Sequence, residues 1–240
     1  MDRISTGSLD FNEWLNGGYE SGIVTMFVGP PGSGKTNFSL LFACSLARDG
    51  KVIFIDTEGG FSIERVRQIV GDENLEKILK NIIILSPLDF FEQKNSFVQL
   101  KKFVNDDLLG IVVDSIAMLY RLETGGASEE EISSINKEMS SQMKDLVSIA
   151  RKREIPVLIT NQVWGNFLSF EDIRKGIEKK VNIVGGDIFM YWSKCIVELK
   201  KGIVRHASLL KHRSMDVKDF YFEIKDLGIF KRKKSIFDVG

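Results

Sequence analysis

Eight consecutive residues carry the densest chemistry in the 240-residue chain. Gly29-Pro30-Pro31-Gly32-Ser33-Gly34-Lys35-Thr36 has the spacing GxxxxGK[ST] and stands between a β-branched apolar run and a segment of helical period, Asn37 to Ala47. Glycines in such a loop let backbone N–H groups curl around phosphate oxygens, and the following helix adds the positive end of its dipole. Lys35 would reach the β- and γ-phosphates of ATP, and the Thr36 hydroxyl would hold Mg²⁺. Three further polar residues end or follow apolar runs. Asp114 closes Ile111-Val112-Val113 and has the form of a carboxylate for the Mg²⁺ shell. Glu58, just past Phe54-Ile55-Asp56-Thr57, could activate a water beside the γ-phosphate, and Gln162, after Val157 to Asn161, could sense that phosphate through its amide. Taken singly, Glu58 fits a solvated loop and Gln162 a strand-end cap equally well.

These residues need a sheet to bring them to one edge, and the chain supplies the pattern of one. Short β-branched runs at Gly22 to Val28, Lys51 to Asp56, Asn81 to Leu85, Gly110 to Asp114 and Pro156 to Thr160 alternate with helix-period segments, as in a parallel sheet with crossover helices. Asn37 to Ala47 reads as an amphipathic helix. Between Ser128 and Lys152, Ile132, Ile135, Met139, Met143, Leu146, Val147 and Ala150 trace one helical face, and Ser128 with Glu131 forms a capping-box signature. After about residue 193 the period becomes two: Cys195, Val197 and Leu199 alternate with more polar neighbours, as do Phe220, Phe222 and Ile224. Antiparallel strands, including Ile203 to Leu210, joined by turns such as Lys201-Gly202, are expected there. The expected fold class is α/β: a mainly parallel twisted sheet flanked by helices with a C-terminal antiparallel extension, in one domain over residues 1–240. In such a sheet the strand ends carrying the phosphate loop and Asp114 are expected side by side.

Composition narrows the partners. Lysine plus arginine equals aspartate plus glutamate at 33 each, so no global basic field exists and any nucleic-acid site must be local. Cys44 and Cys195 are far apart without CxxC spacing, which excludes a structural zinc site and suggests reduced core thiols. No apolar run is long enough to span a membrane, and the N-terminus has no apolar signal region. A cytosolic location is expected.

The motifs taken together resemble a known family. Ser5-Thr6-Gly7, Gly17-Gly18, the phosphate loop, Phe54 to Phe61, Ile111 to Ser115, Leu158 to Val163 and Gly185-Gly186 are similar in order and spacing to the RecA/RadA recombinase core, over nearly the whole chain. The resemblance implies a RecA-like P-loop ATPase core with ATP and Mg²⁺ as ligands. It makes Glu58 the catalytic carboxylate, Gln162 the relay from nucleotide to DNA, and Arg65 the residue stacking on adenine. Within the superfamily the chain is most similar to the smaller archaeal accessory proteins. It begins at the core, so no separate N-terminal helical domain is expected, and it contains no Phe-x-x-Ala assembly motif. Filament formation by that route and unaided strand exchange are therefore not expected.

Lys211-His212-Arg213 resembles a basic motif that, in KaiC-type rings, reaches the γ-phosphate of a neighbouring subunit; a solvated or DNA-facing strand end is the other reading. Trp164 to Val184 corresponds to a DNA-binding loop of the recombinases, with Arg174, Lys175, Lys179 and Lys180 as phosphate contacts and Trp164, Phe167 and Phe170 as stacking groups. Its sequence departs from theirs, so individual contacts do not carry over. Lys231 to Lys234 is a further basic run. The implied partners are single-stranded or branched DNA bound without sequence preference, with the main archaeal recombinase, a junction-processing nuclease and a second copy of the chain as candidates. A slow ATPase in an accessory role is the first expectation, and a KaiC-like signalling or scaffold ATPase its rival.

Overall fold

The computed structural model describes residues 2–164 and 182–232. Its strands are β1 (Arg3–Ile4), β2 (Tyr19–Glu20), β3 (Val24–Gly29), β4 (Lys51–Asp56), β5 (Ile82–Leu85), β6 (Leu108–Asp114), β7 (Val157–Trp164), β8 (Asn182–Ile183), β9 (Cys195–Lys200), β10 (Arg205–Lys211), β11 (Asp219–Lys225) and β12 (Gly228–Lys231). The helices are α1 (Leu9–Trp14), α2 (Lys35–Leu46), α3 (Ile63–Val70), α4 (Asp72–Asn81), α5 (Phe90–Phe103), α6 (Met118–Thr124), α7 (Glu129–Arg153) and α8 (Gly186–Trp192). All five strands expected before residue 161 are present.

The main sheet runs β12-β11-β10-β9-β3-β7-β6-β4-β5, with β8 paired on β7 beside that path. From β9 to β5 the pairings are parallel, and from β9 to β12 they are antiparallel. The change of period after residue 193 thus marks a change of strand direction. One expectation needs correction. β7 lies between β3 and β6, so the phosphate-loop strand and the Asp114 strand are separated by one strand and do not adjoin.

Alternate residues of each central strand feed two cores. Phe27, Phe54, Val112, Leu158 and Val197 face one side with α1 to α4; Met26, Val28, Ile53, Ile55, Val113 and Ile159 face the other with α5 to α8. Both faces of the parallel part are covered, which is why its strands read as unbroken apolar runs. The helix following the phosphate loop is not amphipathic as expected. Phe38, Ser39, Leu40, Leu41, Phe42, Ala43, Cys44 and Leu46 are all buried, because α2 is enclosed by the sheet on one side and by α3 and β12 on others. Helix α7 matches its expected start, with Ser128 as N-cap and the full Ser128–Glu131 capping box. Cys44 and Cys195 are free and buried, and burial pushes both thiols up to about 12. No described helix is long and apolar enough to cross a membrane.

Candidate nucleotide site at the strand ends

Strand register sets the site. β3 pairs with β7 so that Gly29 lies beside Gln162, and β4 pairs with β6 so that Asp56 lies beside Asp114. The C-terminal ends of β3, β4, β6 and β7 therefore share one edge, as expected for a ligand crevice in an α/β sheet.

The phosphate loop turns through Gly32 (φ +72°) and Gly34 (φ +109°), a left-handed backbone that glycine adopts without steric cost. Gly34 also has no room for a side chain, since a Cβ there would sit 2.9 Å from Ile224 Cδ1 of β11. The loop is thus packed against the antiparallel extension as well as the parallel core. Lys35 is only 8% exposed, and its amine donates to the carbonyls of Gly29 (2.9 Å) and Pro30 (3.1 Å). Burial lowers its pKa, while Glu58 and Asp114 pull it back up.

Asp114 is buried at 4% exposure. Its Oδ1 accepts from the Thr160 hydroxyl of β7, while its Oδ2 is buried without a partner. Burial raises its carboxyl to about 6; the Thr160 and Thr36 hydroxyls oppose the rise, and the charges of Glu58 and Asp56 add to it. Thr36 is near enough to Asp114 to favour its charged form, across the gap that β7 opens between the loop strand and Asp114. A cation held by one hydroxyl, one carboxylate and phosphate oxygens fits this pair, and the orphaned Oδ2 is the atom that would gain most. Among the described residues no group of three or more His, Cys, Asp or Glu could hold a metal without such help.

Glu58 is exposed at the mouth, and its Oε1 accepts from Gln162 Nε2 at 3.0 Å. The two residues expected to act on a terminal phosphate are brought together. Residues missed in the sequence hold this corner. Both Asp56 carboxylate oxygens accept backbone N–H groups, from Gly60 (3.0 Å) and Phe61 (2.9 Å), which shapes the turn carrying Glu58. The Thr57 hydroxyl donates to Ser115 O (2.7 Å) and accepts from Ser115 N (2.9 Å), fastening that turn to the end of β6. The signal was present: Phe54-Ile55-Asp56 ends in aspartate as Val112-Val113-Asp114 does, and Thr160 is a lone hydroxyl in an apolar run.

Arg65 opens α3, where Ser62 caps the helix. Its guanidinium donates to Asn37 Oδ1 (2.8 Å), Gln68 Oε1 (2.8 Å), Lys225 O (2.7 Å) and Asp226 O (3.0 Å). These bonds lie in the guanidinium plane and fix it between α2 and the turn after β11. Lys211 and Arg213 are not part of this edge. Lys211 pairs with Ile196 near the start of β9, at the opposite end of the sheet, and its amine donates to Met190 O at 2.7 Å. Arg213 lies 2.6 Å from Glu20 Oε2, an ion pair without aligned hydrogen-bond geometry, while Arg3 reaches Glu20 Oε1 at 2.7 Å. A contribution of Arg213 to its own chain's phosphate loop is therefore excluded by position. Arg174, Lys175, Lys179 and Lys180, with Phe167, Phe170, Lys233 and Lys234, lie outside the described residues.

The Rad51 family model matches residues 1–232. The chain belongs to the Rad51 family. Among its relatives, the DNA repair and recombination protein RadB of Methanobrevibacter smithii is 41% identical over 235 residues, covering 95% of each chain. RadB of Methanocaldococcus jannaschii is 39% identical, covering 90% of this chain and 97% of its own. A crystal structure of the RadB recombinase superposes with a TM-score of 0.76 at 34% identity, covering 96% of this chain and 100% of that one. The motif resemblance to archaeal members of the Rad51 family and the expected fold are both borne out.

Proposed function

We propose that this Rad51-family protein binds Mg²⁺-ATP at the strand-end site, hydrolyses it slowly, and acts on DNA in repair and recombination as an accessory that does not itself exchange strands. The observation that carries the nucleotide reading is the convergence of Lys35, the Thr36–Asp114 pair and the Glu58–Gln162 pair on one edge beside a glycine-built loop. Bound Mg²⁺-ATP would supply a phosphoryl group and a cation that withdraws charge from it. Lys35 leaves its carbonyl partners and donates to phosphate oxygens. Thr36 and Asp114 would hold the cation, with the unpartnered Oδ2 free to ligate it. Glu58 accepts a proton from the attacking water, and Gln162, already bonded to Glu58, feels the change at the terminal phosphate. Arg65 offers a guanidinium face for adenine stacking, its edge being occupied.

The DNA reading draws on the relatives' stated role and on connectivity. Val184 N donates to Gln162 O at 3.2 Å and Asn161 Nδ2 to Val184 O at 2.9 Å, so residues 165–181 leave from and return to the γ-phosphate sensor. A change at Gln162 would act on the two ends of the segment whose sequence carries Arg174, Lys175, Lys179 and Lys180. Lys211 and Arg213 are a second candidate contact for DNA, and the main archaeal recombinase or a junction-processing nuclease a candidate protein partner.

Two measurements test the proposal. Lys35→Ala should abolish tight ATP binding, and unchanged affinity would remove the nucleotide site. Lys179 and Lys180 replaced together should weaken single-stranded DNA binding for all sequences alike and lower the salt slope by roughly one to two units. Wild-type DNA binding by that variant would exclude the loop as the contact.

A further inference from the structure

A second lysine lies on the phosphate loop, and it comes from the antiparallel extension. Lys201 follows β9, whose end is packed hard against the loop: a Cβ at Gly29 would lie 2.5 Å from Leu199 O. From that fixed point the Lys201 side chain passes over Gly32, where a Cβ would lie 3.2 Å from its Nζ and 3.9 Å from its Cδ and Cε. Gly32 thus makes room for a lysine as well as for the turn. The neighbouring Lys200 is paired with Glu198 at 3.2 Å, whereas Lys201 has no hydrogen bond or ion pair among the described residues.

Lys201 is exposed, so without an anion its ammonium group is met by water. The Lys201 amine stands near the N-terminus of α2, which begins at Lys35 behind its Gly34 cap and has no acidic residue in its first turn. Lys35 adds a second positive charge, and the nearby carboxylates Glu58 and Asp114 act on Lys35. An ammonium group without a protein partner, beside a helix N-terminus and a glycine-built phosphate loop, is complementary to a polyphosphate.

We propose that Lys201 is a phosphate-binding residue of the nucleotide site, closing over the loop from the side opposite Glu58 and Gln162. The proposal rests on the nucleotide reading above and extends it to the turn between β9 and β10, so phosphate occupancy would also fix that turn, whose tip carries the fully exposed Ile203.

The test compares ATP and ADP affinities of the wild type, Lys201→Met, Lys201→Arg and Lys35→Ala by calorimetric titration, with thermal midpoints measured without nucleotide. Methionine keeps the alkyl stem over Gly32 and removes the charge. Lys201→Met should lose about tenfold in ATP affinity, the worth of one charge-assisted hydrogen bond, with an unchanged nucleotide-free midpoint. Lys201→Arg should retain most of the affinity. If Lys201→Met binds ATP and ADP like the wild type while Lys35→Ala does not, the Lys201 assignment is wrong and the nucleotide site stands. If the nucleotide-free midpoint drops and arginine fails to restore affinity, Lys201 is structural and the assignment is equally overturned. Failure of the wild type to bind ATP removes both readings.

Discussion

Asp114 is a residue whose burial costs stability at neutral pH. Its carboxyl is raised from the ordinary 3.8 to about 6, so between those values the folded chain holds a proton that the unfolded chain has released. Stability from this group is complete below about pH 4 and lost as pH rises through 6, by up to about 3 kcal/mol. Asparagine keeps an acceptor for Thr160 and never ionises. Asp114→Asn without nucleotide should therefore melt several degrees above the wild type at pH 7.5, with the gap closing at pH 4.5, while losing the Mg²⁺-dependent part of ATP affinity. Equal melting at both values would show that the buried carboxylate carries no such strain. Glu58 behaves differently because it is exposed and bonded to Gln162. Glu58→Gln retains an oxygen that can accept the Gln162 bond but cannot take a proton from water. Binding should persist and hydrolysis fall by at least a hundredfold in a phosphate-release assay; wild-type turnover in that variant would remove Glu58 from the chemistry.

At the scale of elements, what was local in sequence was legible. Helix α7 is announced by Ser128 and Glu131, and the structure contains the reciprocal bonds, Ser128 N to Glu131 Oε2 at 2.8 Å and Glu131 N to Ser128 Oγ at 3.4 Å. Ser128→Ala should cost about 1 kcal/mol and Ser128→Gly only a few tenths, read from denaturant midpoints, because glycine is the better substitute at an N-cap. Equal losses would mean that the cap adds nothing to α7. The five parallel strands and the phosphate loop were legible for the same reason, a repeating pattern over a few residues. Relations between distant segments were not. Nothing near Asn37 signals that α2 is closed over by β12, which turned an expected amphipathic helix into a buried one. Nothing near Asp114 signals that β7 intervenes, so Thr160 was missed as its partner. The family resemblance singles out Arg65, but the carbonyls that fix it come from residues 225 and 226.

The whole molecule has two ends, and the residues proposed to act on ATP are divided between them. Glu58, Lys35 and Asp114 stand at the C-terminal edge of the parallel strands, while Arg213 stands past the end of β10 near the opposite edge, its guanidinium drawn to the buried carboxylate of Glu20. One chain cannot bring them together, but a head-to-tail neighbour can, since repetition of such a contact sets the rear edge of one copy against the front edge of the next. In that arrangement Glu20 would pre-orient the guanidinium and lower the cost of presenting it to a partner's phosphate. Arg213→Ala and Glu58→Gln should each be poor in hydrolysis alone. Mixed in equal amounts under conditions where oligomers exchange subunits, about a quarter of interfaces would join an intact carboxylate to an intact arginine, and activity should return in that proportion. Glu20→Gln should lower hydrolysis less than Arg213→Ala does, because the arginine remains but is no longer held. No recovery in a preparation shown by native mass to contain both variants in one assembly would exclude action across an interface and leave Arg213 as a structural partner of Glu20 or a contact for DNA.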